Sequence, residues 1–213
     1  LITQVETTSA TTADSAMTPV IHQSLKDKGL APKEHLLDTG YINAPLLIES
    51  PQAYNIELVG PVLPDSSWQA QTPDGFDSTR FQIDWQQQQA CCPQGHQSHR
   101  WEVGVDRRGQ ETVTILFPYQ VCRPCPLKAQ CTRAQKAGRT LTLRPQEQHL
   151  ALQQARRQQQ SDEFKQRYAA RAGIEGTLSQ GVSAFGLRWC RYKGLAKTRL
   201  QHAITATAMN VFR

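Results

Sequence analysis

A set of four cysteines constrains this chain more than any other feature. Cys122-Arg123-Pro124-Cys125 is followed by Cys131, and upstream Cys92 opens Cys92-Pro93-Gln94-Gly95, a turn sequence that exposes a thiol and neighbouring amides. Two stretches with strand character lie between these segments, so a hairpin brings both turns to one end. Four thiolates from two turns is how a tetrahedral structural zinc site is built. Zinc would supply folding free energy to a unit with few apolar residues. Reduced, unliganded thiols remain an open alternative. Disulfides need an oxidising compartment, and no secretory signal is visible. Cys91 can substitute for Cys92, and His96 and His99 are near enough to compete. Cys190 reads as a plain core or surface cysteine.

The cysteine segment interrupts a different pattern. Leu1 to Thr7 is rich in β-branched residues and is expected to form a strand. A helix is expected from Pro19 to about Lys28, with Gly29 as its stop. Leu36-Leu37 reads as a short strand ending on Asp38. Asn43 can cap a helix from Ala44 to Ser50, and residues 56–59 form another strand. Strand and helix thus alternate, as in an α/β layer. Residues 62–80 are loop. Phe81, Ile83 and Trp85 alternate as a strand, followed by strands at 99–105, 111–117 and 140–143, with Asp106-Arg-Arg-Gly109 as a hairpin connection. Residues 145–172 contain no Gly or Pro after Pro145 and predict one helix. A last helix is expected over 196–212, with Leu200, Ala203, Ile204, Thr207 and Val211 as its apolar stripe. The expected segments are 1–60, 61–144 and 145–213, and the fold class is α/β, or α+β overall.

Charge divides along the chain. Residues 1–90 carry four basic and eleven acidic side chains, whereas residues 91–213 carry twenty basic and seven acidic ones, giving the net charge of +6. A strongly basic half attracts polyanions, of which nucleic acid is the commonest, although a solvated basic face has the same composition. No stretch approaches the roughly 18 apolar residues that a membrane span needs.

Two carboxylates stand out. Asp38 lies at a strand end beside Gly40, where α/β sheets place chemistry, and where most aspartates merely cap a turn. Tyr168, Arg171 and Glu175 fall on one helix face if the helix is continuous. Arg167, Arg171, Arg188 and Arg191 surround Glu175 in sequence, so it reads either as an ion-pair partner or as a metal ligand near phosphate.

These residues carry a family resemblance. His35-Leu-Leu-Asp38-Thr-Gly40-Tyr41 resembles the strand bearing the second aspartate of DDE transposases from bacterial insertion sequences. Tyr168-x2-Arg171-x3-Glu175 resembles the helix with their third acidic residue. Arg171 to Gln180 resembles one subgroup closely. So does the tail Arg188-x2-Arg191-Tyr192-x-Gly194-Leu-x-Lys197-Thr-x-Leu200-Gln201-His202, through Ala208-x-Asn210. Cys92, Trp101, Cys122, Cys125 and Cys131 resemble that subgroup's cysteine-bearing insertion. The resemblance implies an incomplete ribonuclease H-like core interrupted by a β-rich, zinc-binding insertion and completed by a helical part. It implies Asp38 and Glu175 as catalytic ligands of two Mg²⁺ ions, structural zinc on Cys92, Cys122, Cys125 and Cys131, and DNA contacts from Tyr168, Arg171, Arg188, Arg191, Lys193 and Lys197. The implied partners are double-stranded DNA, at element ends and target, and a second transposase copy. The implied location is the bacterial cytoplasm, at the nucleoid.

The sequence departs from the family pattern in two places. Val182 stands where many members have a Lys, so that contact falls to Lys193 or Lys197, or is not made. The first catalytic Asp is not found: in the family it lies on an early strand, upstream of the strand that Leu1 to Thr7 resembles, and Asp14 falls after that strand and is not assigned. With Leu1 rather than Met at the start, the chain reads as a carboxy-terminal fragment of a transposase. The alternatives are a non-enzymatic, zinc-stabilised DNA-binding remnant or regulator, and a structural zinc protein. The fragment reading predicts little or no Mg²⁺-dependent cleavage of element-end DNA by the 213-residue chain. Robust cleavage that Glu175→Ala abolishes would overturn it.

Overall fold

Residues 1–212 are described in a computed structural model. The chain divides into two units, Leu1–Val62 with the chain from Ala151 onward, and Leu63–Leu150.

In the first unit a β-α-β repeat positions Asp38. Strand β1 (Glu34–Leu36) pairs in parallel with β2 (Glu57–Val59), placing His35 opposite Leu58. Helix α1 (Met17–Asp27) precedes them, and α2 (Ala44–Tyr54) is the crossover. The side chain of Asn43 caps α2 by accepting from the Leu46 amide at 3.0 Å. This satisfies one of the amides that a helix start leaves without a partner. The expected stop at Ser50 is not observed. Pro51 removes only its own donor, and α2 runs on to close on Asn55 in the left-handed conformation (φ 56°). Leu37, Ile42 and Val62 form one core cluster, with Leu47, Leu58, Leu152 and Ala155 packed on it, and Leu46, Ile56 and Val59 are buried in the same unit.

The expected strand at Leu1–Thr7 does not form. No neighbouring strand offers it a ladder, so helix side chains satisfy its polar groups. Asn210 accepts from the Ile2 amide at 2.7 Å and donates to the Ile2 carbonyl at 2.8 Å. His202 Nδ1 lies 2.9 Å from the Thr7 hydroxyl. Arg199 pairs with Glu6 at 2.9 Å.

The single helix expected over 145–172 is broken. Helices α5 (Gln146–Gln158) and α6 (Asp162–Ala169) are separated at Ser161, whose hydroxyl accepts from the Phe164 amide at 3.2 Å. A serine cap followed by Asp162 and Glu163 is a helix start, and here it overrides the continuous pattern. Helix α7 (Ala172–Phe185) follows after a tightened turn. Helix α8 (Leu195–Val211) buries Ala206 and Met209, whereas Leu200, Ile204 and Val211 of the expected stripe are exposed. Close packing explains this. A Cβ on Gly181 of α7 would lie 3.2 Å from the Met209 side chain, so the contact between the helices forms there.

The second unit is antiparallel. Strands β3 (Gln82–Asp84) and β4 (Gln89–Cys91) form a hairpin. Strands β5 (Arg100–Val105), β6 (Glu111–Leu116) and β7 (Thr140–Leu143) form a sheet in the order β5-β6-β7. Short helices α3 (Tyr119–Cys122) and α4 (Lys128–Cys131) lie between β6 and β7 and carry cysteines. Asp106 makes the β5–β6 turn by accepting from the Arg108 and Gln110 amides, with Gly109 at φ 73°. Phe81, Ala90, Val113, Ile115, Phe117, Leu141 and Leu143 form the core, and Cys92, Cys122 and Cys131 pack against it. No helix among the described residues is long and apolar enough to cross a membrane.

Packing in the first unit also buries a histidine pair. His22 of α1 is fully buried, and its Nε2 lies 2.9 Å from Nδ1 of His35. Burial, and then the charge of His35, lowers the His22 pKa to about 4, and burial lowers that of His35. The unfolded chain takes up these protons near pH 6.5 and the folded chain does not, so stability is complete above that pH. It is expected to fall as pH drops from about 6.5 towards 4. Urea titrations across this range should show a shallower slope for His22→Gln than for the wild type, whatever its absolute stability.

Candidate functional site

Asp38 follows β1 at its carboxyl end, after Leu37, whose amide donates to the Val59 carbonyl at 2.9 Å. A 3-10 turn at Thr39–Tyr41 begins immediately after Asp38. From the other end of the sequence, the turn between α6 and α7 brings up Arg171. The Arg171 amide donates to the Tyr168 carbonyl at 3.0 Å, and the Ile174 amide to the Arg171 carbonyl at 2.8 Å. These three-residue spacings wind the backbone more tightly than an α-helix. Tyr168 and Glu175 therefore sit on different helices rather than on one, but their side chains still meet.

The meeting point is the Arg171 guanidinium. One of its nitrogens lies 2.8 Å from Asp38 Oδ2 and the other 3.0 Å from Glu175 Oε1. The Tyr168 hydroxyl donates to Asp38 Oδ1 at 3.4 Å. Side-chain exposure is 18% for Arg171 but 55% and 70% for Asp38 and Glu175, so the carboxylates stay open to solvent. Ion pairs this exposed add little stability, and the arrangement matters chiefly as a placement of charge. Burial raises the Tyr168 pKa, with Arg171 opposing and Asp38 adding to the rise. Tyr168 is therefore a neutral donor at physiological pH.

The neighbourhood differs from the sequence reading in two respects. Arg167 is not a partner of Glu175. It bridges Glu34 and Glu57 at 2.9 Å each, across the parallel strand pair. Arg188 and Arg191 make no ion pair with Glu175 among the described residues. Asp14, left unassigned in the sequence, lies beside this region. A Cβ on Gly40 would be 3.4 Å from Asp14 Oδ2, and Asp14 and Asp38, after burial, raise the Tyr41 pKa. The sequence sets Asp14 aside for its place after an expected strand at Leu1–Thr7; that strand does not form, and no signal in the sequence alone shows this.

In the second unit, Cys92, Cys122, Cys125 and Cys131 line one cavity of about 30 Å³ together with His96, and neither Cys91 nor His99 lines it. The Cys92 turn forms as its sequence suggests, with Gly95 at φ 80° and the Cys92 amide donating to His96 at 2.8 Å. The Arg139 amide donates to Cys122 Sγ at 3.4 Å. Burial pushes the Cys131 thiol up to about 11, Arg139 opposes this, and the other three thiols add to the rise. Nevertheless, no group of three or more His, Cys, Asp or Glu among the described residues is arranged to hold a metal ion. This holds for the thiol cavity and for the Asp38–Glu175 pair. Cys190 lies apart and exposed, with its sulfur 3.1 Å from the Thr198 hydroxyl, a contact that lowers its pKa.

A protein-family model described as the transposase DDE domain matches residues 91–213. The chain belongs to that family. The matched stretch contains Glu175, Tyr168, Arg171, the cysteines and the basic tail, and leaves Asp38 outside it. Membership associates the chain with DNA transposition and, in general terms, with DNA as partner. No curated protein and no solved structure matches it.

Thiol reactivity tests the cavity. A thiol of pKa about 11 is thiolate to only about one part in a thousand at pH 8. In metal-free protein, iodoacetamide is expected to modify Cys190 first and Cys131 last, as followed by mass spectrometry. Raising the pH from 8 to 10 should accelerate Cys131 labelling about a hundredfold.

Proposed function

We propose that this transposase-family chain takes part in cutting and joining DNA by Mg²⁺-dependent phosphodiester chemistry, with Asp38 and Glu175 as metal-holding carboxylates. The observation that carries the reading is the fork of Arg171, which gathers both carboxylates on one guanidinium although Asp38 lies 133 residues away. Two carboxylates and a phenol form an oxygen-only donor set, which suits a hard divalent cation. Bound there, Mg²⁺ would activate a water or a 3′-hydroxyl and stabilise the leaving oxygen. Tyr168 and Arg171 would then donate to DNA phosphate. Residues 1–60 and 145–213 are read as parts of a ribonuclease H-like core around an insertion at 61–144.

Two further roles belong to this reading. Arg188, Arg191, Lys193 and Lys197 hold duplex DNA at element ends and target. Cys92, Cys122, Cys125 and Cys131 hold a structural zinc ion, supported by their shared cavity and by the Arg139 amide aimed at Cys122 sulfur. Amide donors of this kind orient and tune thiolate ligands. A second transposase copy is a proposed partner, and the bacterial nucleoid the proposed location.

A second reading keeps DNA binding and zinc without cleavage. It is favoured by the grouping of only two of the family's three carboxylates on Arg171, the third role being unfilled by any assigned residue. With the first Asp role unfilled, the chain alone is expected to nick element-end duplexes in Mg²⁺ little or not at all. Robust nicking lost in Glu175→Ala would overturn that expectation and the second reading with it, whereas Mg²⁺ affinity that Asp38→Ala and Glu175→Ala remove, without nicking, supports the first reading over the second. In either case the logarithm of DNA affinity should fall linearly with that of salt, and Arg188→Ala and Arg191→Ala should each reduce the slope by about one. A flat salt response would remove the DNA-binding reading. For zinc, elemental analysis should find one equivalent, and chelation should lower Tm as Cys125→Ser does.

A further inference from the structure

We propose that the loop between α7 and α8 binds unpaired nucleotides, with Trp189 and Tyr192 as stacking platforms for bases and Arg188, Arg191, Lys193 and Lys197 as phosphate contacts. The proposal rests on the DNA-binding reading above and adds to it the kind of DNA that this surface takes.

The loop is built without its aromatic side chains. Gly186 (φ 62°) ends α7, and Gly194 (φ 97°) precedes α8. Leu187 turns inward, where its Cδ2 would be 3.1 Å from a Cβ on Gly181, and its amide donates to the Gly181 carbonyl at 3.0 Å. Gln201 of α8 holds the loop backbone at two points, donating to the Trp189 carbonyl at 2.7 Å and accepting from the Arg191 amide at 3.0 Å. Cys190 bonds the Tyr192 carbonyl at 2.9 Å. With the backbone fixed in this way, Trp189 is left 78% exposed and Tyr192 53% exposed. An exposed tryptophan on an anchored loop contributes little to folding, because it stays largely in water.

Charge selects the occupant. No acidic residue occurs after Glu175, and the cations alternate with the aromatics in Arg188-Trp189-Cys190-Arg191-Tyr192-Lys193. None of Arg188, Arg191, Lys193 and Lys197 makes an ion pair among the described residues; of the cations in this stretch, Arg199 alone does so, with Glu6. Beside the loop, Tyr192, Arg191, Lys197, Leu200 and Ile204 line one groove. Aromatic faces set among cations suit a strand whose bases are free to stack, since every base has a π-face and every linkage a negative charge. A duplex keeps its bases stacked on one another and offers these rings only its backbone. A second protein copy would bring the same positive charge to the patch.

The test uses the full chain, a short oligothymidylate and a blunt duplex of equal length. The wild type should bind both, with tryptophan fluorescence quenched by the oligothymidylate. Trp189→Ala and Tyr192→Ala should each weaken oligothymidylate binding by between about fivefold and a hundredfold and change duplex affinity less than about twofold. Trp189→Phe should retain most of the affinity, and circular dichroism should show the variants folded. If the wild type binds duplex but not oligothymidylate, or if Trp189→Ala leaves oligothymidylate affinity unchanged or weakens both DNAs equally, the inference is overturned and the DNA-binding reading survives. If Trp189→Ala abolishes self-association in sedimentation while strand affinity is unchanged, the patch belongs to a second copy and the inference is likewise overturned. If the wild type binds neither DNA, both readings fall.

Discussion

The chemistry available to the first unit depends on one guanidinium, that of Arg171. Arg171 is largely covered while the two carboxylates it reaches are largely exposed, so the cation is fixed and the anions are free to change partners. Its planar fork explains why arginine suits the position. The two nitrogens point apart, one to Asp38 and one to Glu175, which a single ammonium group on lysine could not do with the same geometry. A cation between the two carboxylates offsets their mutual repulsion, modestly because both are exposed. On the proposed reading, a divalent ion would compete with Arg171 for them. If an ion takes Asp38 and Glu175, the guanidinium is released to meet a phosphate, and the charge balance of the site survives the exchange.

Elements fixed by local chemistry were legible in the sequence. Asn43 caps α2, Asp106 and Gly109 turn β5 into β6, and alternation at Thr140–Leu143 marks β7. Elements decided by distant neighbours were not. Leu1–Thr7 has β-branched residues but no strand to pair with, and its hydrogen bonds come from side chains as far as 208 residues along, at Asn210, as well as from Ser24 and Lys28. At the other extreme, the Gly- and Pro-free pattern over 145–172 was overridden by a single serine cap. Chain propensity is a weak prior where one capping hydrogen bond or one missing partner can reverse it.

The candidate site was legible in part. Spacing groups Tyr168, Arg171 and Glu175, a strand end marks Asp38, and only the family resemblance links the two; the structure brings all four together, but through a tightened turn rather than along one helix. The attribution of Arg167 failed because nearness in sequence to Glu175 says nothing about which carboxylate the long side chain meets. The parallel pairing of β1 and β2 sets Glu34 opposite Glu57, two like charges that need a cation between them. Arg167 supplies it, and is thereby unavailable to Glu175.

The same division of labour separates the polar residues of the tail. Read as a motif, Arg188 through Asn210 looks uniform, yet Gln201, His202 and Asn210 turn to partners within the protein. Gln201 holds the α7–α8 loop, while His202 and Asn210 hold the first residues of the chain. Among the described residues Arg188, Arg191, Lys193 and Lys197 are exposed and make no ion pair, whereas Arg199 pairs with Glu6. A stretch whose amides and imidazole do much of the anchoring leaves these four cations free of carboxylates, and that is what makes a fixed positive surface rather than a flexible one.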